Sequence, residues 1–95
     1  MPDAPADTRV RPDRFVAELV GFVRAEFVPE DEHDQLTSTT PLIESGILDS
    51  LRVAVLLTYI RDALGVAVPL ALMDARNFRD VESIAAVLRS VEEDR

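Results

Sequence analysis

The chain has no cysteine and no lysine, one histidine, three glycines and six prolines among its 95 residues. Without cysteine, neither a disulfide framework nor a thiolate metal site can form. The lone histidine, His33, lies in Glu30-Asp31-Glu32-His33-Asp34 with no second spaced ligand cluster and no calcium-loop glycine. A solvated acidic loop is expected there, not a metal site. No apolar run approaches the roughly 20 residues of a membrane span. The N-terminus has prolines and acids where a secretory signal would have an apolar stretch, so a cytoplasmic, monomeric protein is expected. Bases are also scarce: 18 acids face 10 arginines, a net charge of −8. That field repels phosphate backbones and anionic lipid, which makes nucleic acid and membrane poor partners and favours a basic protein.

What is present is enough for one small domain. An apolar content of 47% supplies a core, and a charged content of 29% keeps its surface soluble. Residues 1–11, with Pro2, Pro5, two aspartates and Val10 as their only branched apolar residue, read as a disordered leader. The domain proper is expected over 12–95, its first helix opening at Pro12-Asp13. In that helix Phe15, Leu19, Val23 and Phe27 form an apolar stripe, widened by Val16, Val20 and Phe22, and it should end before Pro29. Gly21 inside it is unfavourable by about 1 kcal/mol relative to alanine, which suggests a close helix crossing.

Periodicity then disappears until Asp49. Loops longer than about 15 residues are uncommon in compact domains and tend to be functional. Leu36, Leu42, Ile43, Ile47 and Leu48 should pin this one to the core. Val53, Leu57, Ile60 and Leu64 mark a second helix, closed by Gly65 as a left-handed cap. Leu70 to Asn77 has room for a helical turn or two, while Val66-Ala67-Val68 would lack a partner strand. Asp80 reads as the N-cap of a last helix with Val81, Ile84, Leu88 and Val91 inward. The expected architecture is all-α: a right-handed four-helix bundle of three long helices and one short. Phe15, Phe22, Phe27 and Phe78 are core candidates, and Tyr59 a rim residue.

Among the side chains, only Ser50 sits where chemistry could happen. In Gly46-Ile47-Leu48-Asp49-Ser50-Leu51 a small hydroxyl stands at the mouth of the second helix. Such a serine either caps the helix or presents its oxygen to another molecule. Neither Asp49 nor Ser50 completes a capping box, since Arg52 and Val53 stand where an acid or amide is needed. A serine nucleophile is disfavoured, because His33 is remote in sequence and no oxyanion-type glycine cluster is near.

These residues resemble the attachment site of acyl carrier and peptidyl carrier proteins. The likeness runs from about Phe15 to Val91. It includes Pro41-Leu42-Ile43-Glu44-Ser45-Gly46, Val68-Pro69 and Asn77-Phe78-Arg79-Asp80-Val81-Glu82-Ser83-Ile84. It is nearest to free-standing carriers of biosynthetic clusters, of polyketide or nonribosomal-peptide type, and to D-alanyl carrier proteins. The resemblance implies a non-enzymatic carrier with a 4′-phosphopantetheine arm on Ser50, Asp49 and Leu51 helping recognition. It also implies a phosphopantetheinyl transferase using Mg²⁺ and coenzyme A, an acyl- or aminoacyl-loading enzyme, and a downstream synthase or transferase as partners. The alternative is an unmodified acidic helical adaptor with Ser50 only a cap. Where many acyl carriers place acids after the serine, this chain has Arg52 and Val55. A more apolar partner surface is therefore expected, formed by Leu51, Val55, Thr58 and Tyr59 with Arg52 and Arg61.

Overall fold

The computed structural model describes the backbone of residues 3–93 and the side chains of residues 14–93. Helix α1 spans Asp3–Phe27, a 3-10 turn follows at Glu30–Gln35, and α2 spans Ser50–Tyr59, continued by a π turn over Ile60–Leu64. A 3-10 turn at Leu70–Leu72 precedes α3, Val81–Glu93. Three long helices and short turns, with no strand among the described residues, make the all-α bundle expected from the periodicity. The helical backbone begins at Asp3, ahead of the expected start at Pro12, and Pro5 falls in its first turn, where proline is tolerated. The leader assigned to residues 1–11 lies outside the residues whose side chains are described.

Side-chain contacts fix how the helices run. Arg14 on α1 meets Glu92 near the end of α3 at 4.0 Å, while Arg24 late in α1 and Glu82 early in α3 both bind the loop at Leu36 and Ser38, so these two are antiparallel. On the other flank Tyr59 reaches back to Glu18, while Arg52 at the start of α2 lies over Phe27 at the end of α1. Helices α2 and α3 therefore both oppose α1. The core between them takes Phe15, Leu19 and Val23 from α1, Leu56 and Ile60 from the second helix, and Val81, Ile84, Ala85 and Leu88 from α3. Phe78 is buried, while Phe22 and Phe27 are half-buried at its edge.

The long loop is tied down. Leu36, Leu42 and Leu48 are buried, and its backbone bonds to the start of α3, Leu42 N–H donating to Arg79 O at 2.8 Å and Glu82 N–H to Ser38 O at 2.9 Å. Asp80 caps α3 by accepting from Ser83 N–H at 2.8 Å. Gly65 closes the second helix with φ 73°, the left-handed conformation that glycine adopts without penalty.

Three expectations need correction. Ile43 is exposed and does not pin the loop. Gly21 marks no crossing: it is exposed, and a Cβ built there meets nothing within 4 Å. The buried line of α2 runs through Leu56 and Ile60, with Val53 and Leu57 only half-buried on its flank. Because α2 is apolar nearly throughout, its spacing fits two neighbouring stripes, and packing against α1 and α3 selects the one centred nearer Leu56. Leu56→Ala should therefore destabilise the fold by about 2–5 kcal/mol, and Leu57→Ala by clearly less. Urea unfolding of the two variants measures this, and an equal or reversed order would contradict the phase of α2.

Candidate functional site

Gly46, with φ 84°, opens the turn that leads into α2, and its N–H donates to Ile43 O at 3.1 Å. A side chain would strain this left-handed backbone. Leu48 then plunges into the core, its N–H donating to Leu42 O at 2.9 Å. Asp49 follows in extended conformation and is the N-cap. Its Oδ1 accepts from Arg52 N–H at 2.9 Å, and its carbonyl accepts from Val53 N–H at 2.8 Å.

With Asp49 as the cap, Ser50 becomes the first residue of α2. Its side chain is exposed and its hydroxyl makes no hydrogen bond to any described residue. Of the two roles the sequence left open, capping is thus taken by the neighbour. No base holds the Ser50 proton, so nothing in the described residues activates it as a nucleophile. The first N–H groups of a helix have no carbonyl partner within it and carry the positive end of the dipole. A phosphate ester on Ser50 would stand against them, which is favourable for an anion.

Beside Ser50 opens a cleft of about 650 Å³, lined by Ile43, Leu48, Asp49, Val53, Met73, Asp74, Ala75 and Phe78. Its walls are mainly apolar. The wall from Met73 to Phe78 comes from a segment remote in sequence, so spacing around Ser50 could not point to it. Asp74 is held by the N–H groups of Arg76 and Asn77, at 2.9 and 3.2 Å. Three acids on this side are paired locally, Asp74 with Arg76 at 3.9 Å, Asp80 with Arg79 at 3.7 Å, and Asp62 with Arg61 at 3.4 Å.

The residues expected on a partner surface divide into two sets. Leu51 is 74% exposed and Val55 41% exposed, and Thr58 and Arg61 are exposed as well. Arg52 and Tyr59 point elsewhere. Arg52 is half-buried, with Nη1 donating to Ile47 O at 3.1 Å and the guanidinium 5.5 Å from the centre of the Phe27 ring. Tyr59 stacks on Phe22, ring centres 4.0 Å apart, and its hydroxyl donates to Glu18 Oε1 at 3.1 Å. Partial burial, followed by the hydrogen bond and charge of Glu18, raises the Tyr59 pKa above its ordinary value. Spacing along α2 placed both residues near the outward row, but aromatic neighbours on α1 draw them to the seam. His33 uses Nε2 on Val28 O at 3.0 Å, and no group of three or more His, Cys, Asp or Glu among the described residues could hold a metal ion.

A family model for the phosphopantetheine attachment site matches residues 17–88, and the chain belongs to that family of carrier domains. Its members bear covalently attached 4′-phosphopantetheine and are carriers, not catalysts. No curated protein matches the chain. The exposed hydroxyl, its place at the positive end of the α2 dipole and the adjoining cleft all fit the group. If Asp49 alone caps α2, Asp49→Ala should cost about 1 kcal/mol, while Ser50→Ala should stay within about 0.5 kcal/mol of wild type. Denaturant titration of both decides it; the larger loss at Ser50 would return the capping role to the serine.

Proposed function

We propose that the chain is a discrete acyl or aminoacyl carrier protein with 4′-phosphopantetheine on Ser50. The observation that carries this reading is the division of labour at the start of α2. Asp49 caps the helix, so the serine beside it is exposed and free of hydrogen bonds to any described residue. The arm supplies a terminal thiol on which cargo is held as a thioester. The protein's own part is to hold the hydroxyl outward for a phosphopantetheinyl transferase, to which Asp49 and Leu51 present recognition contacts. It then offers a surface to the loading enzyme and a downstream synthase or transferase.

The carrier unit in this reading occupies residues 12–95 behind a leader of residues 1–11, and acts as a monomer in the cytoplasm within a biosynthetic pathway. No helix among the described residues is long and apolar enough to cross a membrane. Cargo is selected by the loading enzyme, since few carrier residues touch it. Partner contact falls to Leu51, Val55, Thr58 and Arg61, the members of the expected row that face solvent. Beside them Met73 is 38% exposed. A hollow of about 150 Å³ between Thr58, Arg61, Val68 and Met73 continues this surface. A contiguous apolar surface beside a modified residue is a docking face in character.

Incubation of the protein with coenzyme A, Mg²⁺ and a broad-specificity transferase should add the mass of one phosphopantetheine, and Ser50→Ala should gain none. Intact-mass measurement reads the result. Wild type left unmodified would favour the adaptor alternative, and labelling that persists in Ser50→Ala or maps to Ser45 would move the site. Val55→Asp tests the docking face. Helicity and melting should hardly change because Val55 is exposed, while loading by the cognate enzyme should slow at least tenfold, an effect of about 1.4 kcal/mol. Unimpaired loading would remove Val55 from the interface.

A further inference from the structure

We infer that Arg52 is a positioning residue for modification of Ser50, fixing the turn that bears the serine against the end of α1. The inference rests on the reading of Ser50 given above. Arg52 meets this turn twice, once through its backbone and once through its side chain. Its backbone N–H is the group that the Asp49 carboxylate caps, at 2.9 Å, and its Nη1 donates to Ile47 O at 3.1 Å. Leu48, Asp49, Ser50 and Leu51 are the residues enclosed between Ile47 and Arg52. The guanidinium also rests on the face of Phe27, the last residue of α1. Phe27 meets Phe22 edge-on, centres 5.7 Å apart, and Phe22 stacks on Tyr59. A column of side chains thus runs along the α1–α2 seam from the start of α2 to Tyr59, and Arg52 is its end at the serine.

A cation in the first turn of a helix opposes the dipole, so Arg52 gains nothing from its place in α2 itself. The carbonyl of Ile47 and the ring of Phe27 are what compensate it. Both lie outside α2, so the contact is a tie between elements.

Such a tie matters for group transfer. Ser50 Oγ forms a bond to the phosphorus next to pantetheine in coenzyme A. The pyrophosphate P–O bond breaks, adenosine 3′,5′-bisphosphate leaves with the electron pair, and the hydroxyl proton passes to a base of the transferase. Displacement at phosphorus needs an aligned nucleophile, and a misplacement of about 1 Å can cost on the order of 100-fold in rate.

The test uses the unmodified full chain with coenzyme A, Mg²⁺ and a broad-specificity transferase. Arg52→Met keeps the length of the stem but removes donors and charge. It should lower kcat at least about tenfold, with KM for the carrier changed by less than about twofold. Arg52→Lys, which can still donate to Ile47 O, should recover part of that loss. Amide hydrogen exchange in Arg52→Met should quicken at Leu48, Asp49 and Ser50 and stay unchanged in α3. Wild-type kcat in Arg52→Met overturns the inference. A raised KM at constant kcat overturns it too, by making Arg52 a docking contact, as does faster exchange throughout all three helices, by making it a general stabiliser. A wild-type chain that takes up no phosphopantetheine sinks the Ser50 reading, and this inference with it, before any variant is compared.

Discussion

An N-terminal helix turn has one place for a capping side chain, and in α2 the Asp49 carboxylate occupies it by accepting from Arg52 N–H. That hydrogen bond sets the register of everything around it. It makes Ser50 the first helical residue, turns Leu51 outward, and brings Arg52 round toward Ile47 and Phe27. Had Ser50 been the cap, its oxygen would have been engaged by a backbone N–H and the helix would have begun one residue later. The stability of the turn and the freedom of the hydroxyl thus come from adjacent residues with separate duties.

The cap can act only because the chain before it is held. From Val28 to Asp49 no long helix forms, yet Leu36, Leu42 and Leu48 are buried, and backbone hydrogen bonds tie the segment to itself and, through Arg79 and Glu82, to the start of α3. Arg24 adds Nη2 to Leu36 O at 2.9 Å. Buried leucines spaced along a loop do the work of a regular element while leaving its turns free to be shaped by glycine and aspartate. The serine is mounted on a rigid base without being enclosed by it.

Much of this was legible in the sequence, and the failures share a cause. The stripes of α1 and α3, the cap at Asp80, the glycine at 65 and the ordered loop all depend on residues close in sequence, where spacing is informative. The phase of α2 was misplaced because Leu51, Val53, Val55, Leu56 and Leu57 allow more than one apolar face, and only the opposing helices choose among them. Arg52 and Tyr59 were placed outward by spacing, but Phe22 and Phe27 lie more than twenty residues earlier in the chain. Gly21 looked like a crossing point, although a Cβ built there meets nothing within 4 Å. At the candidate site the serine was legible and the cleft was not, since its wall from Met73 to Phe78 is brought there by tertiary folding.

The paired charges around the cleft and along α2 have a consequence for encounter with other molecules. The chain carries −8 overall, yet Asp62, Asp74 and Asp80 each have an arginine within 4.0 Å. At physiological ionic strength fields fade over about 8 Å, so an approaching protein meets each of these pairs as a small dipole. Long-range attraction through these groups is weak, and added salt has little there to screen. The three pairs thus act at short range, while Asp49 and the acidic turn at Glu30–Gln35 carry charge with no ion pair among the described residues.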